Sequence, residues 1–259
     1  MSFTAALVQC PLQWHDAAAN RAAIELRLEA STAPVDLIVL PEMFTSGFTM
    51  TPAEVAEEPG GETERWLLAQ ARRWNSAITG SHVCRVDDRY YNRLLWVTPD
   101  GAIAHYDKRH LFRMAGEHER YAAGDGLRVV EWRGLRFALQ VCYDLRFPVW
   151  SRRRPGYDYD ALVYVANWPS PRRSAWRALL IARAIENQAC VLGVNRIGTD
   201  AKGLDYSGDS LAVDPRGNLL VDAAAADGLH LATLDAAAVH EFRERFPAHL
   251  DADRFTLSE

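Results

Sequence analysis

Three segments each place a reactive side chain just after a strand-like run. In open α/β proteins, sites collect at the carboxyl ends of strands, so these positions carry the first chemical reading. Leu37-Ile38-Val39-Leu40-Pro41-Glu42 ends in a carboxylate. Partial desolvation at a pocket rim would raise its pKa and make Glu42 a usable base; in open water it is an ordinary strand-end carboxylate. The run His105–Phe112 contains Lys108. An ammonium held in a pocket can stabilise a developing oxyanion; the same run also reads as a solvated basic turn. The run Phe137–Pro148 puts Cys142 where a buried strand passes into a helical turn. Such a turn projects the side chain and leaves the next backbone N–H free, the mechanics of a nucleophile elbow. A buried, inert thiol is the other reading. Cys10, Cys84 and Cys190 lie in or beside apolar runs with no acidic or basic partner pattern, and are read as inert.

Other chemistries find no support. His105, His110 and His118 match no zinc-ligand spacing, so no metal site is expected. Neither a Ser-centred G-x-S-x-G nor a P-loop nor a G-x-G-x-x-G occurs, which leaves ATP and dinucleotide cofactors without a motif.

The elements that must position these residues alternate along the chain. Apolar β-type runs fall at Phe3–Cys10, Val35–Leu40, Ala77–Val83, Tyr90–Val97, Leu135–Val141, Ala161–Ala166, Ala189–Val194, Ser210–Val213, Leu219–Val221 and Leu229–Leu234. Several are continuous rather than alternating, the pattern of strands covered on both faces. Helices are expected over Asn20–Ala30, Thr63–Trp74, Ser174–Gln188 with Ser174 as N-cap, and Val239–Phe246 before Pro247. The order suggests an α/β fold with a mixed sheet or a pair of sheets under helices. No Pro/Gly/Ser-rich linker divides the chain, so one domain over residues 1–259 is expected.

Lys plus Arg is 29 and Asp plus Glu is 34, a net charge of −5. That balance lacks the basic footprint of a nucleic-acid binder. A hydrophobic fraction of 49% and a charged fraction of 24% exclude global disorder. Apolar runs such as Ala161–Ala166 are too short to span a bilayer. The opening Met1-Ser2-Phe3-Thr4 has no basic n-region or cleavage site, and the four cysteines show no C-x-x-C spacing. A cytoplasmic protein with free thiols is therefore expected.

Taken together, in order and spacing, the three motifs closely resemble the nitrilase (carbon–nitrogen hydrolase) superfamily. The matching segments are Leu40-Pro41-Glu42-Met43-Phe44, Tyr106–Phe112 and Val141–Pro148. Gly80-Ser81 in a strand, Tyr91-Asn92 before the next, Asn167-Trp168-Pro169 after a late one, and Ala182–Gln188 extend the match over nearly the whole chain. The resemblance implies a four-layer α-β-β-α sandwich of two mixed β-sheets with outer helices. It also implies a homodimer and no cofactor. Carried over residue by residue, it implies Cys142 as nucleophile, Glu42 as general base then acid, and Lys108 with the backbone N–H of Tyr143 as oxyanion donors. Glu117, with Tyr121 and Gly124 at spacings of four and seven, matches the family's further pocket glutamate better than Glu119 does.

Thr45-Ser46-Gly47-Phe48, Lys108–Ala115, Ala166–Pro169 and Val194–Gly198 look most like the omega-amidase (YafV-type) branch. That likeness implies hydrolysis of the terminal amide of 2-oxoglutaramate or 2-oxosuccinamate to the dicarboxylate and ammonia, through a Cys thioester. Another amide or an N-carbamoyl amide is the rival within the fold. A catalytically silent binding protein is the rival from another class, opposed by the intact Glu42, Lys108 and Cys142. For an acidic amide, Arg172 and Arg173 beside the Ser174 helix are the expected carboxylate holders, while Arg146 is read as structural. Phe44, Phe48 and Trp168 would supply an apolar wall.

Overall fold

The computed structural model describes residues 2–31 and 33–257. In chain order the strands are β1 (Ser2–Gln9), β2 (Leu37–Val39), β3 (Ala77–Val86), β4 (Arg89–Val97), β5 (Ile103–Asp107), β6 (Val129–Trp132) and β7 (Leu135–Val141). They continue as β8 (Ala161–Ala166), β9 (Cys190–Asn195), β10 (Ile197–Thr199), β11 (Asp205–Ser207), β12 (Leu211–Val213), β13 (Leu219–Asp222) and β14 (Gly228–Asp235). The helices are α1 (Ala17–Glu29), α2 (Glu62–Trp74), α3 (Glu117–Arg120), α4 (Pro148–Ser151), α5 (Arg173–Asn187) and α6 (Ala236–Arg245).

Two six-stranded mixed sheets face each other, in the orders β14-β1-β2-β3-β4-β5 and β13-β12-β9-β8-β7-β6. Each has a parallel centre, β1-β2-β3 in one and β7-β8-β9 in the other, with antiparallel neighbours outside. Strand periodicity decides what each face buries. Leu7, Leu37 and Trp96 meet Phe137, Leu139 and Val163 between the sheets. The Phe137 ring lies 5.3 Å from Phe3 and 5.1 Å from Trp96. Neighbouring residues Val8, Ile38, Ile78 and Leu95 turn the other way, against Ile24 and Leu28 of α1 and Leu67 and Ala71 of α2. Ile24 and Leu67 are fully buried, and each such burial contributes about 1.5–3 kcal/mol. On the second sheet, α5 buries Trp176, Leu180 and Ala184 at i, i+4 spacing. The architecture is the four-layer α-β-β-α sandwich. Among the described residues no helix is long and apolar enough to cross a membrane.

Three local expectations need correction. Ser174 is not an N-cap: Ser170–Arg172 already winds as a 3₁₀ turn, so α5 starts at Arg173 and its cap position, Arg172, makes no side-chain cap bond. Asn92 lies within β4 rather than before it, opposite Val83. The hairpin β10–β11 and the edge strand β6 were absent from the apolar runs, because they are short and largely polar or only partly buried.

One buried group ties stability to pH. His82 in β3 is 1% exposed and neither ring nitrogen has a partner among the described residues. Burial, with Arg93 adding to it and Asp107 opposing, lowers its pKa from 6.5 to about 4. The unfolded chain therefore takes up this proton first. Stability should fall as pH drops from 6.5 towards 4, by about 3 kcal/mol for a gap of this size. Urea unfolding of wild type and His82→Met at pH 7 and pH 4 checks it. The wild type should lose about that much more than the variant, and equal losses would assign the acid sensitivity elsewhere.

Candidate active site

Glu42 sits in the turn after β2, and the start of that turn continues alongside β3 through the Leu40 N–H bond to Thr79 O, 2.7 Å. Gly80 permits the close approach, since a Cβ there would lie 2.7 Å from Leu40 Cβ. Ser81 then holds the turn: its Oγ accepts from Met43 N–H at 2.9 Å and its carbonyl from Phe44 N–H at 3.0 Å. Met43 takes a left-handed φ of 44°. Lys108 follows β5, tied by its N–H to Asn92 O at 3.0 Å and by its carbonyl to Gly124 N–H at 3.0 Å. A Cβ on Gly124 would stand 2.1 Å from Asp107 O, so only glycine fits. Cys142 follows β7 with a φ of 45°, the start of a 3₁₀ turn over Cys142–Arg146. That strained conformation projects the thiol, and Tyr143 lies in the first turn, where N–H groups have no intrahelical acceptor.

The topology brings these ends together. Lys108 Nζ donates to Glu42 Oε1 at 2.9 Å and to both Glu117 oxygens at 3.0 and 2.9 Å. It also lies 5.1 Å over the Phe48 ring. Glu42 Oε1 accepts a second bond from Asn92 Nδ2 at 2.7 Å, and Oε2 one from Asn167 N–H at 2.7 Å. Asn92 Nδ2 also reaches Glu117 Oε1 at 3.4 Å, while Glu117 Oε2 accepts from Phe112 N–H at 2.6 Å. Glu42, Asn92, Lys108, Glu117 and Asn167 are buried and Phe48 is half-buried; Cys142, at 9% exposure, opens outward.

The charges are set by this packing. Burial pulls the Lys108 ammonium down, but Glu117, Glu42 and Cys142 outweigh it and hold its pKa well above the lysine value. Burial, assisted by Glu42, pushes the Glu117 carboxyl up against the pull of Lys108. Burial and the Glu42 carboxylate hold the Cys142 thiol well above its usual range, with Lys108 opposing. The thiol thus rests protonated and needs a base at hand.

Cys142 opens on a cavity of about 110 Å³. Phe48, Phe112, Tyr143 and Trp168 form its apolar part, and Arg146, Arg172 and Lys202 bring positive charge. The Arg146 guanidinium lies 4.9 Å over Trp168 and that of Arg172 lies 5.2 Å over Phe112. Trp168 is held by its N–H to Asn195 Oδ1 at 2.8 Å and its Nε1 to Arg172 O at 2.8 Å. Among the described residues no group of three His, Cys, Asp or Glu side chains is placed to hold a metal ion.

Sequence reasoning and structure differ at several residues. Glu42, Lys108, Glu117, Cys142, Tyr143, Phe48, Trp168 and Arg172 converge here. Glu119 points away, its side chain 68% exposed. Phe44 does not line the cavity. The reversal at Met43 turns it into the core under α2, 5.7 Å from Trp66. Arg173 also leaves the cavity, because Asp209 holds it with bonds of 3.0 and 2.6 Å. Arg146, set aside as structural, is in the wall. Asn92 and Asn167 were quoted only as matching segments, and nothing in their spacing marked them as carboxylate partners.

Comparison with known proteins gives the family. Residues 4–244 match the carbon-nitrogen hydrolase family, and the chain belongs to that family, as an enzyme of the carbon–nitrogen hydrolase class. It is 49% identical to omega-amidase YafV of Escherichia coli K12 over 97% of each chain. It is 32% identical to 2-oxoglutaramate amidase of Bacillus subtilis, covering 97% of this chain and 98% of that one. The crystal structure of XC1258 from Xanthomonas campestris, a CN-hydrolase superfamily protein with an arsenic adduct in its active site, superposes with a TM-score of 0.96. Its identity is 48% and both chains are fully covered.

Proposed function

We propose that this enzyme is an amidase that hydrolyses the terminal amide of a small carboxylate-bearing amide, such as 2-oxoglutaramate or 2-oxosuccinamate. The relatives named omega-amidase and 2-oxoglutaramate amidase support the reaction type. One observation carries the substrate class: among the described residues, Arg146 and Arg172 in the cavity wall pair with no carboxylate, unlike Arg173 and Arg177 nearby. A guanidinium held only over an aromatic ring keeps its fork of donors for an incoming anion.

The chemistry runs as a proton and an electron pair change places. Glu42 takes the thiol proton, and the Cys142 sulfur attacks the amide carbon. The carbonyl oxygen becomes an oxyanion between Lys108 Nζ and the Tyr143 N–H. Once Glu42 is neutral, Lys108 has lost one counter-ion. Glu117 still faces the ammonium with both oxygens, and the Lys108 charge released by Glu42 meets the oxyanion. Glu42 then protonates the leaving nitrogen, ammonia departs, and a thioester remains. Water attacks the thioester with Glu42 as base, the acid is released, and the thiol is restored.

The test compares kcat/KM for 2-oxoglutaramate and for an amide of equal length without the carboxylate. Wild type should prefer the acidic amide. Either Arg146→Ala or Arg172→Ala should lose about ten- to a hundredfold of that preference, the range of a charge-assisted hydrogen bond. Arg173→Ala should keep it. Equal values in wild type would discard the acidic substrate, and unchanged preference in both variants would move the carboxylate site elsewhere.

A further inference from the structure

Beneath the elbow, outside the cavity, lies a buried carboxylate that the proposed mechanism does not use. Asp144 is fully buried, and each of its oxygens accepts two bonds. Oδ1 takes the His110 backbone N–H at 3.0 Å and His110 Nδ1 at 2.7 Å. Oδ2 takes the Val141 N–H at 3.0 Å and the Tyr106 O–H at 2.8 Å. Its donors fall on two different sheets. Tyr106 in β5 of the first sheet and His110 in the loop that follows it flank Lys108 by two residues on either side. Val141 immediately precedes Cys142 and ends β7 of the second. Further contacts stiffen the same joint. Trp150 Nε1 donates to Tyr106 Oη at 3.0 Å, the His110 ring stacks on Phe147 at 3.8 Å, and Phe147 N–H bonds the Asp144 carbonyl at 3.0 Å.

We infer that Asp144 is a positioning residue that fixes the separation and orientation of Lys108 and Cys142 by clamping the segments around both. This inference rests on Cys142 being the nucleophile. A carboxylate is required, because each oxygen accepts one backbone N–H and backbone donors have no second tautomer. Asparagine is the same size, but whichever way its amide turns, its NH₂ faces a backbone N–H and one clamp opens. The clamp that opens is either that of the lysine segment or that of the elbow.

Asp144→Asn should fold. Its kcat should fall at least tenfold with KM within about threefold, since Asp144 does not reach the cavity. A second readout needs no substrate: the rate at which iodoacetamide labels Cys142, followed by peptide mass. Removing a nearby negative charge would by itself favour thiolate and speed labelling. Lost positioning of Glu42 and Lys108 should instead slow it, by about fivefold or more. Slower labelling together with lower kcat supports the clamp. A kcat within twofold of wild type, or labelling unchanged or faster, overturns it. If circular dichroism shows Asp144→Asn unfolded, Tyr106→Phe decides, since it removes one of the four donors and leaves both backbone clamps. It should lower kcat about threefold or more and slow labelling, and wild-type values for both would overturn the inference. Wild-type protein that turns over no acidic amide would refute the substrate reading while the labelling comparison still decides this one.

Discussion

Replacing Cys142 by alanine should abolish amide turnover and leave the fold unchanged. The substitution removes one sulfur at a position that opens on the cavity and touches none of the bonds that make the elbow: the Asp144 clamp and the 3₁₀ turn are backbone and neighbouring side chains. Alanine accepts the left-handed φ of 45° about as well as cysteine does. The chemistry has no substitute nucleophile. Burial pushes Cys10 and Cys190 up to about 12 and Cys84 up to about 11, and none of the three is flanked by a paired glutamate and lysine. Cys10→Ser, Cys84→Ser and Cys190→Ser should therefore keep wild-type kcat, while costing about 1–3 kcal/mol of stability for a hydroxyl in an apolar site. Mass spectrometry during turnover should find the acyl adduct on Cys142 in wild type and none in Cys142→Ala. An active Cys142→Ala, or loss of kcat in one of the three serine variants that remains folded, would remove Cys142 from its role.

The reactive ends were legible because they lie where continuous aliphatic runs stop. Leu37–Leu40 before Glu42 and Phe137–Val141 before Cys142 have the pattern of strands buried on both faces, and such strands end at a sheet edge where a polar side chain meets a cleft. The layers could be guessed from the same runs, but their pairing could not. Strand order depends on contacts such as β1 with β14, more than 200 residues apart, that leave no local trace. Residues placed by long-range partners were misread for the same reason. Arg172 and Arg173 are adjacent and chemically identical; only Asp209, folded back from 36 residues away, takes one of them out of the cavity. Phe44 follows Glu42 by two residues and would share its face in an extended strand, yet the left-handed Met43 reverses the chain between them. The family resemblance reads Arg146 as structural, and its exposure to the cavity depends on where Trp168 packs. The short strands of the β10–β11 hairpin carry Tyr206 to the cavity but bury too little apolar surface to read as strands.

Glu42→Gln and Lys108→Met should each lower kcat by at least a hundredfold, for different reasons. Glutamine keeps the size of Glu42 but cannot carry a proton from thiol to leaving group. Its amide must also turn an NH₂ towards the Asn167 N–H or towards Lys108 and Asn92, so one donor set loses its acceptor. Methionine keeps the length of Lys108 and removes the cation. One preorganised oxyanion donor is worth about 3–4 kcal/mol, or a fall of about a hundred- to a thousandfold. The loss of charge reaches further, because Glu42 and Glu117 then face each other without the ammonium. Breaking the buried ion pair should also lower stability by about 3–5 kcal/mol, so thermal melts must accompany the kinetics. Glu117→Gln separates the two effects. It keeps the size of Glu117 and a carbonyl partner for Lys108 while removing the charge, and should cost less than tenfold in kcat. The expected order is therefore Glu42→Gln at least as damaging as Lys108→Met, and both far below Glu117→Gln. Near-normal kcat in a folded Glu42→Gln or Lys108→Met variant would refute the triad. A Glu117→Gln variant as inactive as Lys108→Met would mean that Glu117 works as an ionised carboxylate and takes part in proton transfer itself.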